Sequence, residues 1–309
     1  MIYFSLFLTL VIAITLADRL VPEIMARWAL ALERMLSGLR LHQAEVDGFT
    51  VPYLEGGQGQ PLLLIHGFAG DKDNFTRVAR HLVAHYRVII PDLPGFGDAG
   101  RDLNAKYDIA SQVARLHTFL QQLGIQKVDL GGNSMGGFIT AQFAATYPQM
   151  VGSVWLIDAA GTEASTRSEI IQRYLATGEM PLLVQTEAAF ADLMRQTTHK
   201  TPFIPYSLRH VLAQRAMRDF ALHTRIMGEF RDSPMLEQQY SQLSTPALVV
   251  WGTRDLILHP DGAQATAALY SNCKVIMMPD LGHLPMLEAP RASAQDYLAF
   301  RKNLPQTQV

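Results

Sequence analysis

The chain has almost no cysteine. Cys273 is the only one among 309 residues, which excludes a disulfide framework and a thiolate zinc site and leaves the redox compartment open. Runs of basic residues are also absent. The 26 lysines and arginines are scattered among 28 acids, the formal charge is −2, and no surface for tracking nucleic-acid phosphates is expected. There is no internal repeat and no low-complexity segment, and 49% hydrophobic content describes a packed globular core rather than a disordered chain. The length suits one large α/β domain with an insertion, or two modest domains.

Charge is missing from one long stretch, IYFSLFLTLVIAITLA, residues 2–17. As a helix it spans roughly 24 Å, a little under the ~30 Å hydrocarbon core of a bilayer. Extending it to Val21 covers the core and leaves Asp18 and Arg19 near one interface. At the bilayer centre each charge would cost roughly 2.5–3.5 kcal/mol, so the end of the span is where they are tolerated. The preferred reading is an uncleaved anchor. A cleaved signal peptide is the rival, but no basic segment precedes the run and no Ala-x-Ala site stands out; a buried core helix is the third reading.

Pro22 interrupts this helix, and a second helical pattern runs from Glu23 to Arg40. On a helical projection Ile24, Met25, Trp28, Ala31, Leu32, Met35, Leu36 and Leu39 fall within an arc of roughly 140°. Glu23, Arg27, Glu33, Arg34, Ser37 and Arg40 fill the opposite arc, with only Leu30 out of place. Such a helix could lie in the membrane interface or pair with a second copy through residues 5–40. It could also pack its apolar face on the body of the protein. The arginines past the span point weakly to a cytoplasmic catalytic part.

From residue 43 onward, apolar runs alternate with amphipathic stretches. FTVPYLEGG, PLLLIHG, RVIIPDLPGFG, KVDLGG and VGSVWLIDAAG read as strands, and the fully apolar PLLLI is expected of a strand buried on both faces of a parallel sheet. Between them, residues 73–86, capped by Asp73 or Asn74, residues 108–123 and residues 134–147 read as helices. From 162 to 244 only helical segments punctuated by prolines occur; strands return at 245–252 and 273–280, and a helix follows from Pro290. The expected organisation is an anchor and juxtamembrane helix (1–40), an α/β core (41–161 and 245–309) with helices on both faces of a mostly parallel sheet, and a helical cap (162–244) over its site.

Gly132-Asn133-Ser134-Met135-Gly136 is a G-x-S-x-G sequence between an expected strand and an expected helix. A nucleophile on such a turn sits in a strained backbone conformation, and its neighbours must be small because strand, turn and helix approach closely. The helix N-terminus offers the Met135 N–H to a developing oxyanion. A serine needs a base. Of ten histidines, His283 in PDLGHLPMLEAP is the best placed, on a polar turn after a strand; His259 and His66 are its rivals. The value of His66, which opens HGFAG, lies more in the backbone that follows it, and the Phe68 N–H is the candidate second oxyanion donor. Asp255, in WGTRDLI, is the preferred orienting acid, in the chain order Ser…Asp…His. Asp158, which also ends a strand, is the alternative, and Asp92 reads as a residue holding a loop.

With these residues in view, the chain resembles the α/β-hydrolase family over nearly all of 43–305. LLLIHGFAGDKDNFTRVA, VIIPDLPGFG, GGNSMGG, ALVVWGTRD and VIMMPDLGHLPMLEAP are similar to the bacterial family V lipases and esterases. Ala69 departs from that pattern, where a glycine is expected. With the N-terminal helices included, the chain resembles membrane-anchored bacterial phospholipases A. The resemblance implies hydrolysis of acyl esters of glycerophospholipids, with release of fatty acid and without metal or cofactor. It also implies an inner-membrane location with the catalytic part on the periplasmic side, against the arginine signal. The rival readings are an acylglycerol lipase or carboxylesterase, a C–C bond hydrolase, whose elbow can also read G-N-S-M-G-G, and an inactive ligand-binding homologue.

Overall fold

The computed structural model describes the chain from Ile2 to Leu304, so residues 305–309 of the expected core lie outside it. Its frame is one eight-stranded sheet: β1 (Arg40–Val46), β2 (Phe49–Gly56), β3 (Pro61–Ile65), β4 (Arg87–Pro91), β5 (Val128–Asn133), β6 (Val151–Ile157), β7 (Ala247–Gly252) and β8 (Cys273–Met278). The spatial order is β1-β2-β4-β3-β5-β6-β7-β8. β1–β2 and β2–β4 are antiparallel and every other pair is parallel.

The apolar runs are explained by burial on both faces. Leu63 and Ile65 join one core cluster with Leu130, Leu156 and Val249, while Leu62 and Leu64 join the other with Trp155, Ile157 and Val250. In chain order the helices are α1 (Ile2–Leu20), α2 (Pro22–Leu36), α3 (Thr76–Ala79), α4 (Ile109–Gln122), α5 (Met135–Thr146), α6 (Glu169–Thr177), α7 (Glu187–Thr197), α8 (Tyr206–Arg218), α9 (Phe220–Arg231), α10 (Leu236–Gln239), α11 (Gly262–Ala267), α12 (Pro285–Glu288) and α13 (Pro290–Lys302). α4, α5 and α11 cover the first face, and α3, α12 and α13 the second. Five helices, α6 to α10, fill the stretch between β6 and β7, and part of it has its own small core of Val184, Phe190, Leu193 and Ala213.

The strand order reverses beside β3: the chain steps from β3 to β4 on one side, then returns to lay β5 on the other. At such a switch point the connections leave in opposite directions and open a crevice at the carboxyl ends of the strands. Ile65 pairs with Gly132 there, so the loop after β3 and the turn after β5 stand side by side.

Two local expectations are corrected. The second helix ends at Leu36 rather than Arg40; Gly38, at φ 70, turns the chain, and Leu39 enters the core instead of continuing the helical face. Arg40–Val46 is then an edge strand, mostly exposed, and so without the alternation that would have marked it. After β3, the cap is Asp71 rather than Asp73 or Asn74. Its carboxylate accepts the Asp73 N–H at 2.9 Å while the Asn74 side chain accepts the Asp71 N–H at 2.8 Å, and the helix that follows is only Thr76–Ala79.

Residues Tyr3–Leu20 of α1 have mean hydropathy 1.7 and none of them is buried, a helix long and apolar enough to cross a membrane. At its foot the Asp18 carboxylate accepts the N–H groups of Tyr206 (3.1 Å) and Ser207 (3.2 Å), and the Arg19 guanidinium lies 4.3 Å from the Tyr206 ring centre. α8 begins after Pro205, which has no capping side chain, so Asp18 caps it from 187 residues upstream of Pro205 in spirit of an N-cap carboxylate. α2 does pack on the body, but by its charged side. Arg34 grips Asp73 at 2.7 and 2.5 Å, and Arg77 donates to Glu33 at 2.7 Å. Its apolar face, Ile24, Trp28, Leu32, Met35 and Leu36, stays exposed.

Candidate active site

β5 ends at Asn133 and α5 starts at Met135, so Ser134 makes the whole turn, at φ 57 and ψ −122. A side chain in such a region costs of order 1–3 kcal/mol and persists only where the surroundings enforce it. The flanking glycines are required by contact. A Cβ on Gly132 would stand 2.1 Å from the Gly136 carbonyl oxygen, and one on Gly136 would stand 2.2 Å from that of Ile65.

On the β3 side, His66 is fully buried, and its Nε2 accepts the Leu93 N–H at 3.0 Å. Nδ1 therefore carries the proton, 2.8 Å from the Gly67 carbonyl oxygen. Burial pushes the His66 pKa down to about 4, against the help of that carbonyl. Both ring nitrogens are committed, so His66 fits the structural role expected of it. The chain then turns, Gly70 N–H donating to Gly67 O at 3.1 Å, with Ala69 at φ 57. Here is the reason for the glycine that the resemblance leads one to expect: the position lies in the left-handed region, which disfavours a Cβ by roughly 1–2 kcal/mol. Ala69→Gly should leave stability unchanged or raise it by up to about 1 kcal/mol in thermal or urea unfolding, since relief of strain offsets the added freedom of the unfolded chain. A loss above about 1 kcal/mol would mean the turn carries no strain. Among the described residues the N–H groups of Phe68 and Met135 have no protein acceptor.

His283 arrives on the loop between β8 and α12. Its Nδ1 is 2.8 Å from Asp255 Oδ2, both side chains being buried. Asp255 is held by its other oxygen, Oδ1, which accepts the N–H groups of Ile257 (2.8 Å) and Leu258 (3.1 Å). The His283 backbone is pinned from both sides, its N–H donating to Thr197 O at 2.9 Å and its carbonyl accepting from Asn133 Nδ2 at 3.0 Å. Ser134 and His283 line one cavity of about 180 Å³ together with Gly67 and Phe68. No hydrogen bond joins Ser134 to the imidazole among the described residues; contacts of this kind commonly tighten only when substrate is bound. His259 does not line the cavity; it is partly exposed, with Nδ1 3.4 Å from Asp261. Asp92 accepts from the Lys72 and Asp98 N–H groups and from Lys72 Nζ, at 2.7 to 2.8 Å, as a loop-holding residue should.

Apolar side chains from three directions line the rest of the cavity. Leu30 comes from α2, Phe190, Leu193 and Leu212 from α7 and α8, and Leu182 from the segment before α7. Leu30, the residue out of place on the helical projection, thus faces the cavity. Leu183 and Phe203 of the same 162–244 stretch do not line it, and Phe203 is 84% exposed.

Several contributors carried no sequence signal. Asn133 ties the turn after β5 to the His283 loop and to Ile157 O. Glu288 accepts the N–H groups of His199, Lys200 and Gly282 at 2.6 to 2.8 Å, joining the segment after α7 to that same loop. Arg215 of α8 pairs with Asp71. Burial alone would raise the Asp71 carboxyl, but Arg215 and Lys72 beside it hold it well below the usual range. As for a metal, Asp158, Asp255 and His283 are the one His/carboxylate group among the described residues with donor atoms mutually within 4.8 Å. Asp255 and His283 Nδ1 are already spent on each other and on backbone N–H groups, which fits an internal hydrogen-bonded cluster better than a cation site.

Residues 60–290 match the family described as the alpha/beta hydrolase fold. The chain is an α/β-hydrolase. This hydrolase is 38% identical over 278 residues to Lipase 1 of Psychrobacter immobilis, covering 88% of this chain and 87% of that one. It is 37% identical over 273 residues to Lipase 3 of Moraxella sp. (strain TA144), covering 87% and 84%. The crystal structure of a membrane phospholipase A, described as a novel bacterial virulence factor, matches with a TM-score of 0.89 and 37% identity, over 99% of this chain and 100% of that one. These matches bear out the resemblance to lipases and to the membrane phospholipase A PlaF. The hydrolase is an enzyme of the lipase and esterase type, acting on carboxylic esters, with an N-terminal helix that is a candidate membrane anchor.

Proposed function

We propose that this hydrolase is a membrane-anchored phospholipase A, acting by preference at sn-1, with side activity on lysophospholipids and simple esters. The observation that carries this reading is the position of the cavity. It holds Ser134 and His283 at one side and is lined on another by Leu30 and Glu33 of α2, the helix directly after the candidate membrane span. A substrate whose acyl chain starts in a bilayer suits an apolar cavity beside the anchor.

Ser134 Oγ attacks the ester carbonyl while His283 Nε2 takes its proton. The Phe68 and Met135 N–H groups receive the developing oxyanion, each worth ~2.7–4 kcal/mol in such sites. His283 then protonates the leaving lysophospholipid oxygen, and water, activated by the same imidazole, releases the fatty acid from the acyl-enzyme. Asp255 keeps the Nδ1–H tautomer in place and stabilises the imidazolium. Gly132 and Gly136 allow the turn to close, and residues 162–244 act as the cap over the α/β core of 41–161 and 245–309.

The test is detergent-solubilised enzyme on a glycerophospholipid with different acyl chains at sn-1 and sn-2. One fatty acid, from sn-1, is the expected product. Cleavage of short esters and acylglycerols alone would make it a lipase or carboxylesterase, a second reading that the names of its relatives favour.

The same reading puts the anchor in the inner membrane, the catalytic part in the periplasm and a second copy against the exposed faces of residues 5–40. The support is the resemblance together with the outward apolar face of α2, where Leu32 and Leu36 are both exposed. A membrane-impermeant amine crosslinker added to spheroplasts should yield a dimer band that is lost when Leu32 and Leu36 are both replaced by glutamate. No reaction at all would turn the catalytic part to the cytoplasm.

A further inference from the structure

Asp158 has no role in the reaction as described, yet it is fully buried against the group that orients the base. It follows β6, at φ 42, and its Oδ1 accepts the Gly252 N–H at 2.9 Å, which holds the carboxyl at the end of β7. Its Oδ2 is buried and unpartnered among the described residues. Asp158, Asp255 and His283 each bring a side-chain N or O atom within 4.8 Å of the other two, so the two carboxyl groups are close neighbours.

Two ionised carboxylates can only accept, so this pair forms no bond between them unless one carries a proton. Among the described residues, the charged and titratable groups that bear most on Asp158 are Asp255 after β7, His283 after β8 and Glu288 of α12, with no lysine or arginine among them. Asp255 has three donors: the Ile257 and Leu258 N–H groups and His283 Nδ1–H. Asp158 has one. The charge belongs on the better-solvated acid, and like charges side by side force the other to stay neutral. Burial, and next the Asp255 charge, raise the Asp158 pKa well above the carboxylate range.

We propose that Asp158 is a protonated carboxylic acid whose O–H donates to Asp255, and that it is a positioning residue acting on His283 through that carboxylate. The inference rests on the reading of Ser134, His283 and Asp255 as the catalytic triad. The donated hydrogen bond occupies the lone pair of Asp255 left over by its other partners, so the carboxylate cannot rotate away from Nδ1. It also offsets part of the charge that Asp255 presents to His283.

Asp158→Asn and Asp158→Ala separate the possibilities. The amide of Asn can donate to Asp255 through its NH₂ and accept from Gly252 through its oxygen, and it is neutral. The acid limb of the kcat/KM profile should stay where it is in the wild type, with kcat within about threefold. Asp158→Ala removes the donor. It should lower kcat about tenfold at unchanged KM and move the acid limb upward, since Asp255 loses the donor that offsets part of its charge. The infrared difference between wild type and Asp158→Asn at a pH of about 8 should contain the carbonyl stretch of an un-ionised acid.

A downward shift of the acid limb in Asp158→Asn would show that a negative charge had been removed and would overturn the proposal. So would absence of the un-ionised carbonyl band, or an Asp158→Ala enzyme with wild-type kcat and pH profile. Should Asp158→Ala fail to fold, the Asn variant and the infrared band still decide. Fluorophosphonate labelling of wild type but not Ser134→Ala keeps the two levels apart: if that labelling fails, the triad reading fails; if it holds and the Asn variant shifts, only the role of Asp158 fails.

Discussion

Under the proposed function, Ser134→Ala should abolish fatty-acid release from the mixed-chain phospholipid, with kcat down by about 10⁴-fold or more, while melting stays near that of the wild type. The size of the effect follows from the site. The residue stands at the turn where β5 meets α5 and lines the cavity with His283 and Phe68. Alanine keeps the Cβ and therefore tolerates φ 57 no better and no worse than serine. Nothing but the Oγ, the proposed nucleophile, is lost. Residual turnover comes only from bound water in the remaining site. Fluorophosphonate labelling and product analysis on one preparation check this, and a rate within about tenfold of wild type would move the nucleophile to another residue.

The second large effect is expected at Asp255→Asn, about 10⁴-fold in kcat. Here the structure dictates which way the amide points. The Ile257 and Leu258 N–H groups both donate to Oδ1, so that position must remain an oxygen. The NH₂ then takes the Oδ2 position, 2.8 Å from His283 Nδ1, and donates to it. That hydrogen bond holds the proton on Nε2, and an imidazole protonated at Nε2 cannot accept the proton of Ser134. Asp158 cannot substitute, because its own proton makes it a donor. KM should change little, because no substrate contact is altered. Activity retained within about tenfold would indicate that another acid, with Asp158 the first to examine, orients the base.

Much of this architecture is legible one segment at a time. PLLLI and ALVVW are continuous apolar runs because their strands are covered on both faces, and Asp108 accepts the Ser111 N–H at 2.7 Å as a helix cap. G-x-S-x-G is readable because the turn imposes its residue types locally: any side chain on Gly132 or Gly136 would collide with backbone. The edge strand Arg40–Val46 was not legible, since exposed on both faces it has no reason to alternate. Nor was the direction in which α2 faces. Its apolar stripe was open to a membrane interface, a second copy or the body of the protein, and the ion pairs of Glu33 and Arg34 with Arg77 and Asp73 turn that stripe outward.

The sequence by itself therefore determined the α/β alternation and the serine turn, and singled out Ser134, His283 and Asp255 as candidates for nucleophile, base and acid, because each stands out against neighbours within a few residues. Tertiary structure alone decided which distant groups meet: Asn133 and Thr197 on the His283 backbone, Asp158 beside Asp255, and, for the anchor, Asp18 at the start of α8. Those partners lie tens to nearly two hundred residues apart, and each has a side chain or carbonyl that is ordinary in its own segment. They acquire a role only when burial removes water as the competing partner and leaves one geometry in which every donor is satisfied.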